Sequence, residues 1–283
     1  MIYLAINILS STFMACIFKI ADRMKADKNR VILINYITAS LSSFFWIFSM
    51  GGNAEPAAFH TNFYLFAAAT GVFFCVSLYA QKISNTHNGV NRTAFFNKLG
   101  FMPCLFITWF VWKESPTINQ VLAILVILIS LYIMLWSGHS SPSSNALALF
   151  AVIFTAGFVD FTGKAFTRYY PTSQNFYFTA AYYGFAIIPA FIFLVISEKK
   201  NSFAFRRQDI VIGILAGVFN LVTNAAKLKS LSLFSTSIVL PFLAAGTLSL
   251  TTLVGWKLFG EKITSKTIIA IILATISLII INL

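Results

Sequence analysis

The chain has 283 residues, of which 58% are hydrophobic and only 10% are charged, and its mean hydropathy is +0.82. Soluble domains carry about 25% charged residues, so this composition excludes an ordinary soluble domain. The formal net charge is +12, but the basic residues flank apolar runs and form no stripe on a soluble surface. The charge therefore indicates contact with anionic headgroups, and we expect membrane lipids, and no nucleic acid, as partners.

Apolar runs of about 20 residues, separated by short polar breaks, fill the chain. Such runs are typical of transmembrane helices, and none alternates as the strands of a membrane barrel do. We predict an all-α integral membrane protein with ten transmembrane helices, near residues 2–21, 31–50, 63–82, 93–112, 117–137, 146–167, 175–197, 209–228, 234–257 and 265–282. The first run lacks a basic n-region and a clear cleavage site, so we expect a retained helix and no signal peptide.

Short motifs of the first half recur in the second half. At offsets of 145 to 147 residues, K-x-x-x-R ends spans 1 and 6, G-V-F lies in spans 3 and 8, and E-x-x-T precedes spans 5 and 10, so that Lys19 matches Lys164, Gly71 matches Gly217 and Glu114 matches Glu261. We predict two five-helix repeats, residues 1–137 and 146–283, joined by a polar linker at 138–145 as one structural unit. An odd number of spans inverts one repeat relative to the other. The alternative is chance similarity between apolar helices.

A resemblance follows from the turn Phe259-Gly260-Glu261-Lys262-Ile263-Thr264, the ten spans and the doubling. Over its full length the chain resembles the drug/metabolite transporter (DMT) superfamily, EamA type. The first-half turn departs from that pattern because Lys113 stands where glycine is usual. The resemblance implies a permease or exporter that moves a small metabolite or drug-like molecule by alternating access.

The sequence contains no zinc-protease H-E-x-x-H, phosphate loop or nucleophile elbow, and its three cysteines are too scattered for a metal motif. We therefore expect no enzyme activity, no cofactor and no metal, and transport driven by a gradient or by exchange. The alternative is an integral-membrane enzyme or scaffold for lipid-type substrates. An enzyme of that kind needs clustered acidic or histidine residues, and the carboxylates here are few and dispersed.

Span 8 carries small and polar residues on one helical face. These are Gly213, Gly217, Asn220, Asn224 and Lys227. Amides in hydrocarbon must find partners, so Asn220 and Asn224, with Thr223 beside them, are candidates for a substrate-binding wall. The alternative is a close-packing face with amides that bond to neighbouring helices. The matching first-half positions, Phe74 and Leu78, are apolar, and this asymmetry favours a ligand role.

Further candidates for substrate binding are Asn97 and Lys98 of span 4 and Asn7 of span 1. Lys98 lies about five residues inside its span, where it could bind an anionic group or extend to the headgroups. Asp160 is the candidate for proton or ion coupling, although it could simply pair with Lys164 one turn later. We expect the span 4 and span 6 candidates to lie near the span 8 amides around a central cleft.

The remaining polar residues favour structural roles. Glu114 and Glu261 are expected in the first turn of the helix that follows each, with Thr117 and Thr264 as caps. The polar residues that open span 2 (Asn35 and Tyr36) and the tyrosine pair of span 7 (Tyr182 and Tyr183) are expected in polar packing.

Charge also predicts orientation. The connections between spans 1 and 2, 3 and 4, 5 and 6, 7 and 8, and 9 and 10 hold 14 Lys and Arg residues, against five in the opposite connections. The positive-inside rule then places both termini, and the Lys- and Arg-free loop Gly51–Asn62, outside the cytoplasm. The resemblance implies both termini inside. We expect a multi-pass protein of the plasma (cell inner) membrane with its termini outside.

Overall fold

The computed structural model describes residues 1–49, 61–88, 90–135, 145–197, 205–260 and 264–280. Within these ranges the chain is helical and contains no strand. The helices are α1 (Ile2–Arg23), α2 (Lys28–Ser49), α3 (Thr61–Asn88), α4 (Val90–Lys98), α5 (Phe101–Trp112), α6 (Ile118–Leu135), α7 (Ala146–Tyr169), α8 (Asn175–Ser197), α9 (Arg207–Leu233), α10 (Thr236–Phe259) and α11 (Ser265–Ile280), with one 3-10 turn at Thr172–Gln174. Glu261, Lys262 and most of the linker and of the Gly51–Asn62 loop lie outside the described residues.

Nine of the ten predicted apolar runs each correspond to a single helix, and the all-α prediction is confirmed. The fourth run is divided into α4 and α5. Proline has no N–H, so Pro103 cannot donate to the carbonyl of Leu99 as a continuous helix requires. That carbonyl instead accepts from the Met102 N–H at 2.9 Å, and the helix restarts at Phe101.

Seven of the described helices are long and apolar enough to cross a membrane: α1, α2, α3, α7, α8, α9 and α10. Two shorter apolar stretches lie in α6 (Ile118–Ile133) and α11 (Ile268–Ser277). The fold is therefore that of an all-helical protein with several candidate membrane spans.

The chain forms two compact units. Unit 1 comprises Met1–Cys75 and Ala165–Lys229, and unit 2 comprises Val76–Lys164 and Ser230–Leu283. Each unit thus combines helices from both halves of the sequence.

In unit 1, helices α2 and α8 run antiparallel along most of their length. The Asn29 amide near the start of α2 donates to Ser197 Oγ at the end of α8, at 2.8 Å. Trp46 near the end of α2 stacks on Phe176 at the start of α8, with ring centroids 5.5 Å apart. Between these contacts, the Ser40 hydroxyl donates to the Ala180 carbonyl at 3.0 Å.

Two glycines of unit 1 allow close helix crossings at matching places. A Cβ on Gly71 of α3 would meet the backbone of α8, at the Tyr182 carbonyl. A Cβ on Gly217 of α9 would meet the backbone of α2, 2.7 Å from the Asn35 carbonyl oxygen. Small residues let backbones approach in membrane helices, which explains why both positions are glycine.

In unit 2, helices α6 and α11 pack through small residues. The Ser130 hydroxyl donates to the Ala270 carbonyl at 2.6 Å, and Ala123 of α6 and Ala274 and Ser277 of α11 are buried. Gly100 and Gly157 form a second close approach, because a Cβ on Gly157 would come 2.7 Å from the Gly100 carbonyl oxygen. The first contact joins α6 to α11, and the second joins the turn between α4 and α5 to α7.

Two equivalent turns of unit 2 share one backbone conformation. Lys113 follows α5 with φ 55°, and Gly260 follows α10 with φ 70°. Both are left-handed helix caps, a conformation that glycine adopts freely and other residues adopt at a cost. The residue that departs from the EamA pattern therefore keeps the geometry of the glycine it replaces.

We expect Lys113→Gly to raise the free energy of unfolding by about 1 kcal/mol and Gly260→Ala to lower it by a similar amount. A Cβ on Gly260 meets nothing within 4 Å, so backbone strain alone accounts for that loss. Melting temperatures of the purified protein in neutral detergent provide the measurement. A destabilised Lys113→Gly variant would show that the lysine side chain contributes more than its strained backbone costs.

Candidate functional site

A cluster of three side-chain amides and one tyrosine hydroxyl is buried in unit 1. Its members, Asn35, Tyr183, Asn220 and Asn224, form the amide–tyrosine cluster, and none is more than 6% exposed. The Asn220 amide donates to Asn35 Oδ1 at 3.1 Å. The Asn224 amide donates to Tyr183 Oη at 2.9 Å and to Asn220 Oδ1 at 2.8 Å. The cluster joins α2, α8 and α9.

One polar atom of this cluster lacks a hydrogen-bond partner in the described part of the chain. Asn35 Nδ2 is buried and has no hydrogen-bond partner among the described residues. An unpaired buried amide costs free energy, so it identifies a place where a hydrogen-bond acceptor would be stabilised.

Three aromatic rings pack next to the Tyr183 ring of the cluster. Tyr183 lies 4.4 Å from Tyr182 and 6.0 Å from Tyr36 between ring centroids, and Phe74 lies 5.7 Å from Tyr183. The Tyr36 hydroxyl donates to the Phe74 carbonyl at 3.5 Å, as Tyr183 donates to the Asn220 carbonyl at 3.2 Å. These two bonds recur at the repeat offset, but the side chain is apolar at Phe74 and polar at Asn220.

A second polar cluster joins α1 to α9. The Asn7 amide donates to the Thr223 carbonyl at 2.6 Å, and the Thr223 hydroxyl donates to Ser10 Oγ at 2.9 Å. Ser11 donates to Asn7 Oδ1 at 3.3 Å. The structure therefore brings together two of the predicted site residues, Asn7 and Thr223.

Polar contacts lie at one end of unit 1, and aromatic contacts lie at the other end. At one end the buried Asp209 carboxylate accepts from the Asp27 N–H at 3.0 Å and lies 3.8 Å from Arg30. At the other end, the rings of Phe63 and Tyr170 meet edge to face at 5.7 Å. Partial burial raises the pKa of the Tyr170 phenol above its usual value.

Unit 2 contains a buried ion pair. Lys164 Nζ lies 3.2 Å from Glu114 Oε1 and donates to the Leu231 carbonyl at 3.3 Å. Only 10% of the Lys164 side chain and 20% of the Glu114 side chain are exposed. The second carboxylate oxygen, Glu114 Oε2, is buried and has no hydrogen-bond partner in the described part of the chain.

Comparison with known protein families identifies the class of membrane protein to which the chain belongs. The EamA-like transporter family matches residues 143–283, about half of the chain. The protein belongs to the EamA-like transporter family. With the seven apolar helices, this makes it an integral multi-pass membrane protein and a membrane transporter of the DMT type.

Structure comparison shows that the fold extends over the whole of this EamA-type chain. A solved structure described only as "Crystal structure of protein" aligns over 99% of this chain and 98% of its own, with a TM-score of 0.75 and 10% sequence identity. At that identity the likeness shows a shared fold and nothing about the substrate. No curated protein matches the chain.

The remaining predicted site residues of this EamA-type protein lie in unit 2. Asn97 and Lys98 are the last residues of α4 and are half-buried, and Asp160 is half-buried on α7. Lys98, predicted about five residues inside its span, is the residue at which α4 ends and the fourth run is interrupted. A lysine at a helix C-terminus is favoured by the helix dipole.

The prediction that Glu114 begins a helix was wrong. Helix α6 begins at Ile118, and Thr117 and Gln120 cap it reciprocally with two bonds of 3.3 Å. The predicted Thr117 cap is confirmed, and Glu114 instead pairs with Lys164. The sequence contains both motifs, the E-x-x-T turn with Glu114 and the K-x-x-x-R end of α7 with Lys164. Their spacing along the chain does not indicate that the two side chains meet.

Proposed function

We propose that the protein is a secondary transporter that carries a small molecule through the membrane by alternating access, built from two inverted five-span repeats. The observation that carries this proposal is the pairing of equivalent helices within unit 1. Helices α2 and α8 occupy matching places in the two halves, and they run antiparallel. Inverted repeats of this kind are a recurring device of transporters.

Matching contacts on both sides of this helix pair support the same proposal. Gly71 of α3 crosses α8, and Gly217 of α9 crosses α2, at the offset that the sequence predicts. Helix pairs that repeat one contact in opposite directions can exchange roles when the protein changes the side to which it opens.

Ten spans follow if α4 and α5 together form the fourth, and α6 and α11 the fifth and tenth. The left-handed caps at Lys113 and Gly260 support this assignment, because both follow the predicted fourth helix of a repeat. A broken fourth helix is compatible with a membrane span where the interruption lines protein or a cavity.

For the substrate site we propose Asn220 and Asn224, which lie in the cluster with the unpaired Asn35 Nδ2, together with Asn7 and Thr223 of the cluster between α1 and α9. A substrate with a hydrogen-bond acceptor and an apolar or aromatic part would suit an amide beside tyrosine rings. In unit 2, Asn97 and Lys98 stay predicted substrate-binding residues, and Asp160 stays the predicted residue that couples transport to a proton or ion.

Uptake by the reconstituted protein tests the proposal. Liposomes that contain the full-length protein would be offered labelled amino acids, sugars, nucleosides and organic cations, with empty liposomes as background. We expect saturable uptake of at least one class, and its loss in Gly217→Leu, which blocks the α9–α2 crossing. Background uptake of all four classes by folded protein would contradict a role as a transporter of these metabolites.

Orientation can be tested at the two ends of unit 1. We propose that the basic end, which contains Lys25, faces the cytoplasm, and that the opposite end, which contains Ser173, faces outward. With the native cysteines replaced by serine, Lys25→Cys should be protected from an impermeant thiol reagent in intact cells, whereas Ser173→Cys should react. The reverse pattern would place the termini inside, as the EamA resemblance implies.

A further inference from the structure

We propose that the basic end of unit 1 carries a binding site for an anionic phospholipid, in which Lys25, Arg206 and Arg207 contact the phosphate headgroup. These three residues, called the basic rim below, are exposed. The proposal does not depend on transport, because it concerns a surface at the end of the bundle.

Two contacts bring the parts of the rim together. The Gln208 side-chain amide donates to the Met24 carbonyl at 3.1 Å, and the Asp27 N–H donates to Asp209 Oδ1 at 3.0 Å. The turn between α1 and α2 is therefore fixed against the first turn of α9. As a result, Lys25 shares one surface with the two arginines that precede Gln208.

The backbone at Lys25 is also fixed. Its φ of 53° is left-handed, a conformation unfavourable for a lysine, and its N–H donates to the Asp22 carbonyl at 3.2 Å. A strained non-glycine residue is tolerated where its surroundings determine the conformation. The turn thus fixes the place at the rim from which the exposed Lys25 side chain extends.

The carboxylates nearby are already engaged. Asp22 pairs with Lys28 at 2.8 Å, Asp27 accepts the N–H groups of Asn29 and Arg30, and Asp209 is buried in its contacts with the turn. Among the described residues at this end, no further carboxylate compensates the rim. Its positive charge remains available to an external anion.

The surface beside the rim is apolar. Met24, Phe205 and Val211 are 41–48% exposed. A phospholipid combines a phosphate with acyl chains, so it can contact the rim and the apolar surface at the same time. A soluble phosphate would use only the rim, and this difference favours a lipid as the ligand.

Lipid titration of the purified full-length protein tests the proposal. Dioleoyl phosphatidylglycerol and dioleoyl phosphatidylcholine, which have the same chains, would be added in neutral detergent. Bound lipid would be counted by native mass spectrometry and stabilisation followed by melting temperature. We expect preferential binding of phosphatidylglycerol, and its affinity should fall about tenfold or more in Lys25→Gln/Arg206→Gln/Arg207→Gln, since each basic residue near an anionic surface contributes roughly fivefold.

A matched variant distinguishes binding at the basic rim from a general effect of the protein's net positive charge. Lys113→Gln/Arg168→Gln/Lys266→Gln removes the same charge from other exposed positions, and it should keep affinity within about twofold of the wild type. Equal losses in both triple variants would show that net charge alone selects the lipid. Equal binding of the two lipids would also overturn the proposal, as would an equal stabilisation by glycerol 3-phosphate, which has no chains.

Discussion

Replacing Lys164 by methionine should lower the free energy of unfolding by about 3 kcal/mol or more, the largest loss we expect from one substitution. Lys164 holds the Glu114 carboxylate at 3.2 Å and the Leu231 carbonyl at 3.3 Å. Without the ammonium group, the carboxylate keeps no described partner for either oxygen, since Oε2 already has none. A buried carboxylate without a counter-charge is strongly destabilising, and partial exposure of Glu114 places the loss at the lower end of the usual range.

The double variant Glu114→Leu/Lys164→Met is the control for this prediction. It removes both charges and leaves apolar side chains of similar size, so most of the lost stability should return. Melting temperatures in neutral detergent compare the single and double variants. A single variant that loses less than about 1 kcal/mol would show that the pair behaves as a surface ion pair.

The sequence predicted the helices well because each apolar run must satisfy its backbone hydrogen bonds within itself when it crosses a membrane. The same logic explains the one broken span. Pro103 lies in the middle of the run at 93–112, and the break occurs one turn before it. Residue type and hydropathy were sufficient for these features.

The sequence did not predict which polar groups meet. Glu114 and Lys164 lie on separate elements, and their contact depends on how the α5–α6 turn packs against α7. Asn35 and Tyr183 were assigned to polar packing, yet they are the partners of the span 8 amides. Helical spacing shows which residues share one face of a helix. Tertiary packing determines which neighbouring helix that face contacts.

The predicted internal repeat agrees with backbone contacts in the structure better than with side chains. The offset pairs Gly71 with Gly217, and both glycines permit a close crossing. It also paired Asn220 with Phe74, whose side chains differ although both backbone carbonyls accept a tyrosine hydroxyl. The repeat therefore predicts backbone architecture more reliably than side-chain chemistry, which is where a substrate site can differ between halves.

Replacing Asn224 by alanine should reduce transport roughly tenfold while the protein remains folded, if its amide contacts the substrate. The expected loss of stability is about 1 kcal/mol, because the Tyr183 hydroxyl keeps its bond to the Asn220 carbonyl at 3.2 Å. Initial rates of uptake into liposomes, corrected for the amount of folded protein, measure the effect. Ser43→Ala is a suitable control, since the Ala39 carbonyl of its own helix is the one described partner of its buried hydroxyl.

Asn220→Ala should behave differently, because it removes the partner of Asn35. The Asn35 amide already has an unpaired Nδ2, and in this variant its Oδ1 also loses the donor at 3.1 Å. We expect a stability loss of about 2–3 kcal/mol together with reduced transport. This variant therefore tests the integrity of the amide–tyrosine cluster more than it tests binding.

The contrast between the two variants separates binding from packing. If the amides only join α2, α8 and α9, both variants should melt earlier and transport normally once the amount of folded protein is equalised. If they bind substrate, Asn224→Ala should lose uptake out of proportion to its small loss of stability, and an excess of substrate should stabilise the wild type more than the variant. Normal uptake by folded Asn224→Ala would exclude a binding role for this amide and leave the packing alternative.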